Sequence, residues 1–203
     1  MLCAVHHALA HEPRSRLDRK ACIWLKQGIT KLSRVLEVDK KELIRIWKKL
    51  RTEGPGGDER GRLIESLTAG LLATIPGFIV AKRGIPSPIG DRVDILIRNE
   101  TADPFLSKLG PYVPVECKAR LDRPVEAPEV AAFLGKMALN RFTTGIMFSL
   151  SGFTQEAVSM AGSATRKDLM IILVGPDDVS DMIESRNRAE NIKEAATRSL
   201  LAG

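Results

Sequence analysis

Residues 90–119, GDRVDILIRNETADPFLSKLGPYVPVECKA, decide how this chain is read. Two runs in it, DRVDILIRN at 91–99 and YVPVECKA at 112–119, are rich in Val and Ile and are bounded by turn formers, the pattern of β-strands. Each run carries charge where an apolar strand should not. Asp94 stands among Val93, Ile95, Leu96 and Ile97, and an ionised carboxylate there needs a partner or a metal ion. Glu116 and Lys118 are two residues apart, so strand alternation sets both on one face and Cys117 on the other. If the two strands are neighbours, Asp94, Glu116 and Lys118 converge. Asp91 is the alternative acid; it lies at the edge of the run and points to the opposite face of a regular strand.

The flanking sequence supplies the rest of a domain. ERGRLIESLTAGLLATIPG at 59–77 has helical spacing, with Leu63, Leu67, Gly70, Leu71 and Ile75 as its buried stripe, and Pro76-Gly77 ends it. FIVAKRG at 78–84 reads as a strand. After the second charged run come a helix over 128–140, a strand over 144–149, a helix over 154–164, the strand LMIILVG at 169–175 and a last helix from Pro176 onward. The order α-β-β-β-α-β-α-β-α predicts an α/β fold with a mixed central sheet flanked by helices.

The N-terminal quarter differs in charge. The chain has 203 residues and a formal net charge of +6. Residues 1–53 hold 13 Lys and Arg against 6 Asp and Glu, so the whole excess lies there. A compact basic segment suits a polyanion, with nucleic acid ahead of an anionic membrane; a solubilising face is the plainer alternative. Asp39 and Glu42 form a capping-box pattern ahead of a helix at 40–51, where Leu43, Ile46, Trp47 and Leu50 recur at helical spacing. Lys40, Lys41, Arg45, Lys48 and Lys49 fill much of the remaining surface of that helix. The Gly and Pro cluster at 53–58 reads as a linker, which divides the chain into a small all-helical module at 1–53 and a second domain at 58–203.

Other classes are excluded or reduced. The three cysteines, Cys3, Cys22 and Cys117, form no paired spacing, which fits a reducing compartment. His6, His7 and His11 lie near Cys3 but match no zinc pattern. The first 16 residues lack the apolar stretch of a signal peptide, and no run approaches a membrane span. A cytoplasmic protein with no membrane partner is expected.

The charged runs imply a chemistry. Two carboxylates offer hard oxygen ligands to Mg²⁺, which keeps positions open for water and a phosphate oxygen. Such an ion polarises a phosphate and helps form hydroxide. Lys118 can orient the attacking water and stabilise charge in the transition state. For Lys118 to act as a base its pKa would have to fall, through burial or a nearby metal.

At this point the sequence resembles a known family. Asp94 and, after 21 intervening residues, Glu116-Cys117-Lys118 match the signature of the PD-(D/E)xK nucleases. Glu65 sits where that superfamily often carries a helical acid supporting the metal site, although it reads equally as an exposed helical acid. TTGIMFSLSGFTQEAVSMA at 143–161 is similar to the strand-and-helix block of Mrr-like restriction endonucleases, and the likeness spans roughly residues 58–180. Two positions depart from the pattern. Val93 precedes Asp94 in place of proline, and Ala131 and Leu134 stand where Mrr-like proteins often carry Gln and an aromatic residue. The stretch 28–54 also resembles a helix-turn-helix, with Ser33 at the close approach and Val38 plugging the turn, while Glu37 replaces the usual glycine. A plain helical hairpin is the competing reading.

These resemblances imply a restriction endonuclease-like fold. They imply DNA as partner and phosphodiester hydrolysis with Asp94, Glu116, Lys118 and Glu65 as catalytic residues. Asp94 and Glu116 would hold Mg²⁺, with Mn²⁺ as its substitute. The five cations at 40–49 would contact DNA, and a homodimer would pair two sites to cut both strands. The alternative is a catalytically inactive DNA-binding or assembly module on the same scaffold.

Overall fold

The computed structural model describes residues 40–52, 55–86, 92–164 and 168–202, with backbone alone at 82–86 and 92. Nearly all of these lie in one compact unit, Glu42–Gly203. The segment 15–36, the N-terminal cysteines and histidines, the first helix of the helix-turn-helix reading and Asp91 lie outside the described residues.

The elements are α1 (40–50), α2 (Gly57–Ala73), β1 (Phe78–Pro86), β2 (Arg92–Asn99), a 3-10 turn at Leu106–Leu109, and β3 (Tyr112–Lys118). Then follow α3 (Ala127–Leu139), β4 (Thr144–Ser149), α4 (Gln155–Ala164), β5 (Met170–Val174), α5 (Pro176–Glu184) and α6 (Arg188–Leu201). The strands form one sheet in the order β1-β2-β3-β4-β5. The first two pairings are antiparallel and the last two parallel, so the sheet is mixed. Antiparallel neighbours need only a short connection, and β1, β2 and β3 follow one another directly. Parallel neighbours need a crossover, and α3 and α4 supply the two.

Side-chain alternation splits the core between the two faces of the sheet. On one face Ile95, Ile97, Val113, Val115, Ile146 and Phe148 pack with residues of α1, α2, α5 and α6. On the other, Met147, Ile171 and Leu173 pack with Val130, Phe133 and Met137 of α3 and Ala157 and Ala161 of α4. The buried stripe of α2 is Ile64, Leu67, Thr68, Leu71 and Leu72, so Ile64 rather than Leu63 leads it. Leu43, Ile46 and Leu50 of α1 belong to the same core as that stripe, and Lys49 reaches Glu59 at 2.5 Å.

Three local features position the rest. Gly77 turns the chain from α2 into β1 at φ +85°, where a Cβ would collide with the Thr101 backbone. Gly145 brings β4 close under Phe133 and Met137 of α3. The edge strand β5 is covered by α6, and the Leu173 N–H donates to Ser199 Oγ at 3.3 Å. The single last helix expected from Pro176 is in fact two, because Ser185, whose N–H donates to Asp181 O at 2.8 Å, is extended (φ −62°, ψ 143°) and ends the first piece. Arg188 locks the second piece, donating to Met182 O at 2.7 Å and to Thr74 Oγ1 at 3.0 Å. Among the described residues no helix is long and apolar enough to cross a membrane.

Candidate active site

β2 and β3 are neighbours, as the convergence of the charged residues requires. Their register pairs Ile95 with Val115, and one further step sets Asp94 opposite Glu116 on the face turned away from Val115. The Cys117 backbone N–H donates to Asp94 Oδ2 at 2.8 Å. Asp94 is thereby tied to the peptide that joins Glu116 to Cys117.

Glu116 is 7% exposed. Its Oε1 accepts from Lys118 Nζ at 3.0 Å, and its Oε2 accepts from Lys136 Nζ at 3.4 Å. Lys118 Nζ also lies 3.9 Å from Glu129 Oε1. Burying one carboxylate is costly unless cations and hydrogen bonds meet it, and here both oxygens are met.

α3 supplies two members of this group. Glu129 and Lys136 are seven residues apart, which is two helical turns, so both look the same way about 10.5 Å from each other. Glu116 and Lys118 stand about 6.6 Å apart along β3. The helix therefore lays an acid beside Lys118 and a cation beside Glu116. Its N-terminus is fixed by a reciprocal capping box of Glu126 and Glu129. Arg120 completes that end: Nη1 donates to Glu129 Oε1 at 2.8 Å, and Nη2 donates to Pro124 O at 2.9 Å. The Arg120 guanidinium, through these hydrogen bonds, holds the Glu129 carboxyl below the usual carboxylate range.

Cys117 faces the other side, with Val115, toward α2. Burial pushes its thiol well above the ordinary value, and the charges of Asp94, Glu65 and Glu116 push it further. A thiol so placed is a packing group rather than a nucleophile. Glu65 lies on α2 and is partly buried. The structure thus sets Asp94 on the Glu116–Cys117 peptide and Lys118 on Glu116.

Of the five cations of α1, Lys40 is partly buried. Lys41, Arg45, Lys48 and Lys49 are exposed. Arg45 holds Glu42 at 2.6 Å and Lys49 holds Glu59, which offsets part of the positive charge.

The donor set can be tested against a metal ion. Asp94 and Glu116 stand at neighbouring positions of β2 and β3, and among the described residues no three His, Cys, Asp or Glu side chains form a cage. Two carboxylates fit a hard ion that keeps most of its own water, as Mg²⁺ does, and do not fit a closed four-ligand zinc site.

A family model described as "Restriction endonuclease", that of the Mrr catalytic domain, matches residues 64–183. This chain belongs to that family. Among solved structures, the DNA modification-dependent restriction endonuclease AspBHI is similar at 16% identity and a TM-score of 0.46, over 79% of this chain. The chain spans 40% of that protein's length. No curated protein matches it.

In this restriction endonuclease domain the sequence reading missed Arg120, Glu129 and Lys136. Ala131 is exposed, and Leu134 packs with the second core. Lys136 holds the turn of α3 that faces Glu116. The available signal was its spacing from the capping acid Glu129, with buried Phe133 and Met137 on the same side.

Proposed function

We propose that the chain is a Mg²⁺-dependent DNA endonuclease of the restriction or repair type that hydrolyses phosphodiester bonds. The observation that carries this is the buried Glu116 with Lys118 Nζ at 3.0 Å, on the strand beside Asp94. Family membership supports the same reading.

Asp94 and Glu116 would hold the ion, which when bound supplies Lewis-acid polarisation of the phosphate and acidification of water. The Cys117 N–H fixes one Asp94 oxygen, so the carboxylate is oriented before any ion arrives. Lys118 has three donors. One meets Glu116, and Glu129 draws the ammonium from the other side, so its position is set from two directions. A remaining donor can orient the water that attacks phosphorus and share the charge that builds on the phosphoryl oxygens as the P–O bond to the leaving strand breaks. Glu65, on α2, would act by adding negative charge near the ion ligands. The exposed cations of α1 would contact the phosphate backbone. Two copies related by a two-fold axis would cut both strands.

Supercoiled plasmid in Mg²⁺ tests the reading. Wild type should nick or linearise it, and Asp94→Ala should lose at least about a hundredfold in rate, the scale expected when a charge-stabilising contact at the reacting centre is removed. DNA binding with no cleavage in Mg²⁺ or Mn²⁺ would instead identify a binding module on the same scaffold.

A further inference from the structure

Lys136 is not part of the Asp-Glu-x-Lys signature, yet it meets Glu116 directly. Its side chain is 13% exposed, and its ammonium lies 3.4 Å from Glu116 Oε2. With Lys118 on Oε1, each Glu116 oxygen has a cation of its own. A divalent ion held by Glu116 would need one of those oxygens, and its charge would repel the ammonium groups at close range.

The two lysines reach Glu116 from different elements. Lys118 is the closer to Glu116, at 3.0 Å, and it has Glu129 at 3.9 Å on its other side. Lys136 makes the longer contact and reaches Glu116 from α3, a different element. Its four-carbon stem lets the ammonium move while the helix stays put, because Phe133 and Met137 anchor the same face in the core.

We propose that Lys136 is a displaceable counter-cation: its ammonium occupies Glu116 until a divalent ion takes that oxygen, and it thereby sets the ion concentration at which the site fills. The inference rests on Asp94 and Glu116 being the ion ligands. Lys136 is then a positioning residue, acting through Glu116 rather than on the substrate. It holds Glu116 oriented in the ion-free protein and weakens ion binding in return.

Calorimetric titration of the full chain with Mn²⁺ alone, in the absence of DNA, tests this. Lys136→Met, which keeps the stem and removes the charge, should bind Mn²⁺ on the order of tenfold more tightly than wild type. Lys136→Arg should stay near wild type. The ion-free Lys136→Met protein should melt below wild type and gain more in melting temperature on saturation with Mn²⁺. If that variant does not fold, Lys136→Gln measured by Mn²⁺-induced thermal shift gives the same ordering. Equal or weaker Mn²⁺ binding by the uncharged variant overturns the proposal while leaving the nuclease reading standing. A wild-type chain with no Mn²⁺ binding sensitive to Asp94→Asn removes the nuclease reading and this proposal with it.

Discussion

Gly145→Ala links core packing to the candidate site. A Cβ at Gly145 would stand 2.7 Å from Met137 Sδ, 2.8 Å from Phe133 Cε1 and 2.9 Å from Phe133 Cζ. Ordinary contacts of this kind lie at about 3.5–4.0 Å, so α3 must move outward by roughly 1 Å or both side chains must leave their rotamers. Overpacking of a filled core costs about 1–3 kcal/mol. The stiffer unfolded chain returns about 0.4–1 kcal/mol, which leaves a net loss of roughly 1.3 kcal/mol at the centre of these ranges. Glu129 and Lys136 ride on the displaced helix, so their contacts with Lys118 and Glu116 loosen too. A misplacement of that size can cost about a hundredfold in rate. Urea unfolding should show a lower midpoint with unchanged slope. Met137→Ala vacates the space the new methyl needs, so Gly145→Ala should cost less in that background, with a coupling of about 1 kcal/mol or more in the double-mutant cycle. A Gly145→Ala protein as stable as wild type, or an additive cycle, would refute the close approach of α3 to β4.

Leu50 is 0% exposed within the core that also holds Ile64 and Leu71. Leu50→Ala should therefore cost about 2–5 kcal/mol in denaturant unfolding although it lies in the basic N-terminal region, and a change under about 1 kcal/mol would contradict its burial. Glu129 has a carboxyl held low by Arg120, so its folded pKa lies below its unfolded one. Its stabilisation is then complete above the unfolded value, about 4.3 for glutamate, and is lost as pH falls through the lower folded value. Unfolding measured from neutral to acid pH should show Glu129→Gln losing part of the acid-limb slope of the wild type, and superimposable acid limbs would contradict the pairing.

Much of the fold was legible because its signals are local. The Val and Ile runs at 93–97 and 113–115 mark strands whatever surrounds them, and the spacing of Leu67 and Leu71 marks a helix face. Asp94, Glu116 and Lys118 stood out because charge inside an apolar strand violates the pattern and strand alternation settles which side each faces. The break at Ser185 was not legible, since neither Gly nor Pro marks it and Arg188 secures it through Met182 and Thr74, the latter 114 residues away. Lys136 and Glu129 were missed for a related reason. A lysine and a glutamate on an amphipathic helix look like solvent-facing residues, and only the packing of α3 on β4 and β5 brings them beside Glu116 and Lys118. Lys136 and Glu116 are 20 residues apart in sequence, a separation no local pattern reports.

Crystals of the full chain soaked in Mn²⁺ and measured for anomalous scattering examine the site itself. Ion binding by the two carboxylates requires an anomalous peak within coordination distance of both Asp94 and Glu116, lost in Asp94→Asn crystals. Density for Mn²⁺ elsewhere on the molecule, or none near those two carboxylates at saturating ion, would contradict it.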